Sequence, residues 1–154
     1  AILSGANGLR PFFGVASHLD IEIPTPAGGN KVLFGMDYLL GGPTGFAFLV
    51  GVHLGAGGRA FMIYPLAEVH YRFALPIPLV PWVGAGAGVR VAFSRGNDVN
   101  IALGLRVLAG LEYYFTPHVA LGTQVVLPDI GPRLLPDRRV VGTLEWTAGP
   151  HFRF

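Results

Sequence analysis

The chain offers two pairs of side chains that could carry out acid–base chemistry. Glu68 lies two residues before His70, and Glu145 lies six residues before His151. A carboxylate beside an imidazole can act as a general base or form part of a metal site. No Ser or Cys nucleophile accompanies Glu68 and His70, and neither pair has the spacing of a known metal motif. These residues therefore predict no enzyme, no metal site and no cofactor.

Even spacing places side chains on one face of a β-strand, because successive residues of a strand point to opposite faces. Residues 140–154 alternate in this way, with Trp146 and Phe152 on an apolar face and Glu145 and Arg153 on the opposite face. A tilted strand of about 9 to 11 residues crosses a bilayer, so this segment is long enough to span one. The pattern makes a membrane β-barrel the leading hypothesis.

The composition favours a membrane protein that has no spanning helix. The chain has 154 residues, which predicts a single domain over 1–154, and it contains 23 Gly, 13 Pro and only 13% charged residues. Mean hydropathy is +0.51. The longest apolar stretch, Phe73–Val89, contains three prolines and three glycines, which a spanning helix would not tolerate. Because lipid cannot satisfy an open sheet edge, closed β structure is expected.

Charge and cysteine usage narrow the class of protein further. The net charge is +2, and the 11 basic residues are scattered among acids without forming a stripe, so nucleic acid is not an expected partner. The absence of Cys is compatible with an oxidising periplasm.

Eight alternating segments separated by turn residues predict an all-β fold, an eight-stranded antiparallel up-and-down transmembrane β-barrel. They are Arg10–Ile23, Lys31–Leu40, Gly45–Leu54, Ala60–Leu75, Val80–Phe93, Val99–Phe115, Val119–Leu127 and Val140–Phe154. The connections Gly41–Thr44, Pro76–Leu79 and Thr116–His118 are short, and those at the other end are longer, ending with Pro128–Arg139. Outer-membrane barrels keep their short turns in the periplasm, so the C-terminus is expected there.

The charged residues of the predicted strands all lie opposite the apolar face of their strand. That polar face is also rich in small residues, such as Gly84, Gly86 and Gly88, which suits the narrow interior of an eight-stranded barrel. A soluble barrel with its apolar face inside is the alternative. The membrane hypothesis predicts an inward polar network of Arg10, His18, Asp20, Glu22, Asp37, His53, Glu68, His70, Arg72, Arg90, Arg106, Glu112, Glu145, His151 and Arg153.

The inward network has two interpretations. It could line a narrow, gated water path, or it could be a plug of paired charges, which the limited space favours. In either case the arginines at 72, 90, 106 and 153 are expected to pair with Glu68, Glu112 and Glu145. On the outer face, bulky aromatic residues near the strand ends predict aromatic girdles at the two membrane interfaces. These residues are Trp82, Trp146, Tyr113, Phe115, Phe152 and Phe154, of which Trp82 departs from the pattern because it is in register with the glycine face.

Three stretches resemble small eight-stranded outer-membrane proteins of Gram-negative bacteria, the OmpA/OmpX/OmpW-like barrel families. They are Pro81–Gly88 (PWVGAGAG), Gly110–Gly122 (GLEYYFTPHVALG) and the final Phe154. The resemblance implies an outer-membrane location and gives Phe154 a part in the signal read by the barrel-assembly machinery. Pro65 and Pro150 depart from the pattern and indicate bulges or incomplete closure, since proline cannot donate to a ladder.

The predicted loop Pro128–Arg139 is the best candidate for recognition outside the barrel. Its arginines suit lipopolysaccharide phosphates, and its leucines suit a partner protein or lipid, while a merely solvated loop is the alternative. The contact residues would be Arg133, Leu134, Leu135, Arg138 and Arg139.

Together these observations predict an integral outer-membrane barrel with a largely filled polar lumen and a structural or interaction role. It could be a subunit of a larger envelope assembly. A narrow channel for small solutes of the OmpW type is the second hypothesis, and a lipid-modifying enzyme is the third. The expected partners are membrane lipid, lipopolysaccharide, the barrel-assembly machinery and an envelope protein.

Overall fold

The computed structural model is a closed barrel of eight antiparallel strands joined in sequence order. It describes residues 7–20, 31–57, 60–94, 99–135 and 140–154, with the side chains of 17–20, 128, 135 and 141 outside that description. The strands are β1 (Asn7–Asp20), β2 (Lys31–Leu40), β3 (Gly45–Gly57), β4 (Ala60–Arg72), β5 (Leu79–Ser94), β6 (Val99–Thr116), β7 (Val119–Leu135) and β8 (Val140–Arg153).

The barrel closes where the first strand meets the last. β1 pairs with β8 from Gly8 opposite Arg153 to Asp20 opposite Val141. Backbone bonds between Asn7 and Phe154, at 3.3 and 3.1 Å, continue this seam to the end that carries the short turns. The predicted eight-stranded up-and-down barrel is therefore confirmed. In the part of the chain that is described, no helix is long and apolar enough to span a membrane.

Burial alternates along the strands, and the polar face is the buried one. In β4 the side chains of Glu68, His70 and Arg72 are buried, whereas Val69 and Tyr71 between them are exposed. This is the reverse of a soluble barrel, in which the apolar face would fill the interior. The alternative with its apolar face inside is therefore wrong.

The outer surface is apolar, with aromatic residues concentrated at the end that carries the short turns. Phe46, Phe115 and Phe154 are 71%, 64% and 62% exposed. Phe46 packs edge-on against Tyr71, with ring centroids 5.0 Å apart. Such a ring of aromatic side chains is typical of a membrane interface. Trp146 does not belong to it, because this residue lies at the middle of β8.

The seventh strand is much longer than the sequence predicted. Alternation predicted an end at Leu127, but β7 continues to Leu135, so most of the predicted loop is strand. The reason is a β-bulge. Val126 pairs with Glu145, and the next pair is Asp129 with Thr143. Between these two pairs β7 advances by three residues and β8 by only two. One extra residue reverses which side chains face inward beyond it.

Other strand boundaries differ by smaller amounts. β4 ends at Arg72 rather than Leu75, and the following turn occupies 73–78. β1 begins at Asn7 rather than Arg10, and the predicted end of the first segment, Ile23, lies outside the described residues.

The two strand prolines neither bulge nor open the barrel. Across Pro65, Ile63 pairs with Val91 and Leu66 with Gly88, so each strand advances by three residues. Across Pro150, the β1–β8 register is likewise the same on both sides. Both proline rings lie on the exposed face. The barrel is closed and neither proline marks a bulge, although the pairing is interrupted locally between Ile63 and Leu66 of β4 and between Ala148 and Phe152 of β8.

Candidate functional site: the buried charge network of the lumen

The barrel interior holds equal numbers of buried arginines and carboxylates among the described residues. There are five of each, and every one of these ten residues is at most 7% exposed, so bulk water does not reach them. Buried charges are tolerated only when they compensate one another. The arginines are Arg10, Arg72, Arg90, Arg106 and Arg153, and the carboxylates are Asp37, Glu68, Glu112, Asp129 and Glu145.

Arg106 on β6 is the centre of the network. Its Nε lies 2.9 Å from Glu68 Oε1 on β4, and its Nη2 lies 3.2 Å from Glu145 Oε2 on β8. Nη1 is 3.8 Å from Asp129 Oδ2 on β7. The guanidinium also lies over the ring of Tyr64, 5.5 Å from its centroid. One cation therefore ties together four strands across the lumen.

Arg90 on β5 joins this central group from the other end of the barrel. Its Nη2 is 2.8 Å from Asp129 Oδ1 and 3.4 Å from Thr143 Oγ1. Its guanidinium also lies over the ring of Tyr64, 5.1 Å from the centroid. Asp129 is thus shared between Arg90 and Arg106.

A second group forms between the first three strands. Arg10 and Asp37 are direct cross-strand neighbours, and the guanidinium donates to Asp37 Oδ2 through Nη2 at 2.7 Å and Nε at 3.1 Å. His53 Nε2 lies 2.9 Å from the other carboxylate oxygen. Phe12 packs on the His53 ring, with centroids 4.3 Å apart. Both oxygens of this buried carboxylate are therefore satisfied.

A third group lies near the short turns. Glu112 Oε2 accepts from Arg72 and, at 3.1 Å, from the Tyr114 hydroxyl, and it lies 2.9 Å from His151 Nδ1. Arg153 donates through Nε to the Tyr114 oxygen at 3.2 Å. The group is therefore anchored on one carboxylate oxygen.

The two arginines of the third group also hold the β2–β3 turn. Arg72 Nε donates to the carbonyl of Pro43 at 2.9 Å, and Arg153 Nη1 donates to the carbonyl of Gly41 at 2.7 Å. Gly41 and Gly45 have positive φ angles of 123° and 83°, which favour glycine and allow the tight reversal. The turn is thereby drawn against the end of the lumen.

Trp82 belongs to the interior rather than to an aromatic girdle. It is 1% exposed and stacks on His70, with ring planes 11° apart and centroids 4.1 Å apart. His70 Nε2 in turn lies 2.7 Å from Glu68 Oε2. The girdle prediction is wrong for Trp82 because its register, shared with the inward glycines, places it inside.

Glycine makes room for the charged side chains. A Cβ on Gly86 would lie 2.6 Å from Glu68 Cγ, and one on Gly104 would lie 2.6 Å from Asp129 Oδ1. Contacts this short are not found between real atoms of these types, so larger residues would displace the carboxylates. The glycine-rich polar face therefore accommodates the network sterically.

Two of the predicted ion pairs are wrong. Arg90 pairs with Asp129 rather than with a glutamate, because the β7 bulge turns Asp129 inward. Among the described residues Arg153 has no carboxylate partner and instead bonds Tyr114 and a backbone carbonyl. Arg72 and Arg106 do contact glutamates.

Sequence reasoning missed several inward polar residues. Asp129 was assigned to a loop, and Tyr64, Tyr114 and Gln124 were overlooked, although each of these three alternates with apolar outward neighbours. Even spacing from Glu68 and Glu112 could have identified the two tyrosines. The predicted residues His18, Asp20 and Glu22 lie outside the described side chains.

The predicted recognition residues are placed only in part. Arg133 and Leu134 lie on β7 rather than in a loop, with Leu134 47% exposed. The side chain of Leu135 and the whole of Arg138 and Arg139 lie outside the described residues.

The histidines of the network take part in its ion pairs. No group of three or more His, Asp or Glu side chains in the described ranges could hold a metal ion. The imidazoles each face a carboxylate that an arginine also contacts. The geometry is that of mutual charge compensation.

Comparisons with known proteins identify the fold. No family model and no curated protein matches the sequence. The Neisserial surface protein A structure has a TM-score of 0.75 at 18% identity, covering 97% of each chain. The N-terminal barrel domain of Pseudomonas aeruginosa OprF has a TM-score of 0.63 at 15% identity, covering 95% of this chain and 98% of that one. OprG from the same organism has a TM-score of 0.59 at 12% identity, covering 98% and 96%. The chain therefore has the fold of the small eight-stranded outer-membrane β-barrels.

Proposed function

We propose that the protein is an integral barrel of the bacterial outer membrane whose lumen is closed by its own charged side chains, and that it acts through structure or interaction. The observation that carries this proposal is the burial of five arginines with five carboxylates across the lumen. A water-filled pore would leave such side chains accessible to solvent. The apolar exterior with its aromatic ring supports the membrane location.

Conductance distinguishes a plug from a channel. The purified chain is reconstituted in planar bilayers, and we expect no steady single-channel current. Arg106→Ala removes the central cation and is the matched variant, since it should loosen the plug and produce measurable current. Substantial steady conductance by the unchanged protein would favour the narrow channel for small solutes instead.

Membrane insertion can be checked independently of conductance. Closed outer-membrane barrels migrate faster on a gel before boiling than after it, and we expect this shift for the detergent-extracted protein. A protein that stays soluble without detergent would contradict the membrane proposal. Activity on lipid A or on proteins would instead support the enzyme hypothesis.

The orientation is proposed from the lengths of the connections. The short turns and the C-terminus would face the periplasm. The chain contains no Cys, so Thr44→Cys in the β2–β3 turn gives a single labelling site. We expect an impermeant thiol reagent to label it only after the outer membrane is permeabilised, and labelling of intact cells would reverse the orientation.

Contacts outside the lumen are proposed for two parts of the chain. Leu134, exposed near the end of β7, would contact lipid or an envelope partner, together with Arg133 and the residues predicted beside it. Phe154, which follows β8 and is 62% exposed, would be read by the barrel-assembly machinery. Replacing Phe154 by Ser should lower the yield of assembled barrel, whereas Phe46→Ser on the same exposed ring should lower it less.

A further inference from the structure

Several buried polar atoms inside the barrel have no hydrogen-bond partner among the described residues, and four of them belong to three residues that line one cavity. These four atoms are Trp82 Nε1, Glu112 Oε1 and both polar atoms of the Gln124 amide. These three residues are at most 3% exposed. Buried polar groups are almost always satisfied, because leaving one unpaired costs the full free energy of its desolvation.

The register brings these groups to one place. Trp82, Gly110 and Gln124 are cross-strand neighbours in a row over β5, β6 and β7. The indole lies across Gly110, where a Cβ would come within 2.7 Å of Trp82 Nε1. In the adjacent row the side chain of Glu112 lies over Gly122, where a Cβ would be 3.0 Å from Glu112 Cγ. Gly110 therefore accommodates the indole of Trp82, and Gly122 accommodates the side chain of Glu112.

A small cavity lies against Trp82, Glu112 and Gln124. It has a volume of about 10 Å³, and its lining includes Arg10, Phe12, Trp82, Glu112, Gln124 and Thr147. By the same measure a single water molecule needs roughly 10 to 15 Å³ and two to four polar partners. Volume and chemistry therefore agree with a single small polar occupant.

We propose that this cavity binds one water molecule, independently of the role of the lumen. The water would accept from Trp82 Nε1–H and donate to Glu112 Oε1, and Gln124 would bond it through its amide. An ion is disfavoured because Arg10 and Glu112 line the site with opposite charges. Arg10 also holds Asp37, so the water would link the Asp37 group to the Glu112 group near the turns.

Nuclear magnetic resonance of the full chain in nanodiscs tests the site directly. The chain has two tryptophans, so ¹⁵N-labelled indoles give two signals, which Trp146→Phe assigns. We expect the Trp82 indole proton to show a dipolar cross-peak with water. In a rotating-frame Overhauser experiment this cross-peak has the opposite sign to one that arises from chemical exchange, so the two can be told apart. Trp146 is the internal control, because its Nε1 donates to Thr123 Oγ1 on the outer face at 2.9 Å.

Two variants sharpen the result. Gln124→Leu should abolish the Trp82 cross-peak and shift the indole resonance, whereas Thr123→Val should move only the Trp146 resonance. A Trp82 indole that shows no dipolar contact with water in the unchanged protein, or only an exchange signal, overturns the proposal. That measurement needs no variant, so a failure of Gln124→Leu to fold leaves the test intact.

Discussion

Arg106 and Glu68 meet across the lumen, with Nε of the first 2.9 Å from Oε1 of the second and both side chains buried. Glu145 and Asp129 contact the same guanidinium, so this residue compensates several negative charges at once. Replacing Arg106 by Met would leave those carboxylates buried together without their main cation. The network therefore depends most strongly on a residue that no solvent reaches.

We expect Arg106→Met to lower the free energy of unfolding by about 3 to 5 kcal/mol, the cost of leaving a buried charge unpaired. Urea titration in lipid vesicles, followed by the gel shift on boiling, measures the change. Adding Glu68→Gln and Glu145→Gln to the same chain should recover part of the loss, because the repelling charges are then removed. Equal stability of the single variant and the unchanged protein would contradict a compensated network.

The second prediction concerns the inward glycines, which have no space for a Cβ beside the charged side chains. Gly104→Ala would place Cβ 2.6 Å from Asp129 Oδ1, so the central group must shift. We expect a loss of about 1 to 3 kcal/mol, typical of overpacking. Gly42→Ala is the matched control, because its Cβ would meet only the Thr44 carbonyl at an ordinary 3.5 Å. Urea titration of both variants should separate them, and similar losses would mean that general glycine effects dominate.

Alternation predicted the eight strands, because a period of two is preserved wherever strands pair without interruption. The small residues of the polar face and the low content of charge then predicted which face is inward. Alternation failed at Asp129, where one extra residue in β7 reverses the facing of the side chains that follow. A bulge of this kind leaves no clear mark in composition. The pairing of Arg90 could therefore not be predicted, since its partner was assigned to a loop.

At the two strand prolines the sequence predicted an irregularity of the register that the structure does not have. Pro65 and Pro150 both lack the donor that a ladder needs, yet the register continues past each of them. Their rings face outward, and a closed barrel with many neighbouring pairs can accommodate a missing bond. The individual hydrogen bonds of the network, such as those of Arg153 to Tyr114 and Gly41, depend on side-chain reach and could not be read from spacing.

The two tryptophans lie on opposite faces of the barrel, Trp146 on the outer face and Trp82 in the lumen. Trp146 is 52% exposed at the middle of β8, and Trp82 is 1% exposed in the lumen. In vesicles containing lipids brominated near the bilayer centre, we expect strong quenching of Trp146 fluorescence and weak quenching of Trp82. Trp146→Phe should therefore remove most of the quenching, and Trp82→Phe should preserve it. The opposite ranking would show that the polar face is turned outward.

The last prediction concerns the hydrogen bond from Arg153 to the carbonyl of Gly41 in the β2–β3 turn. Arg153→Lys keeps the charge but cannot donate to both the Tyr114 hydroxyl and the Gly41 carbonyl with the geometry of a guanidinium. We expect the turn to become more mobile, because hydrogen bonds from a charged donor, each worth about 1.5 to 3 kcal/mol, are lost. A spin label at Thr44→Cys reports this mobility in a chain that has no other Cys. A label at Ile77→Cys, exposed in the turn over 73–78, is the matched control and should be unaffected. Equal loosening of both turns would mean that Arg153→Lys destabilises the whole end of the barrel rather than releasing one turn.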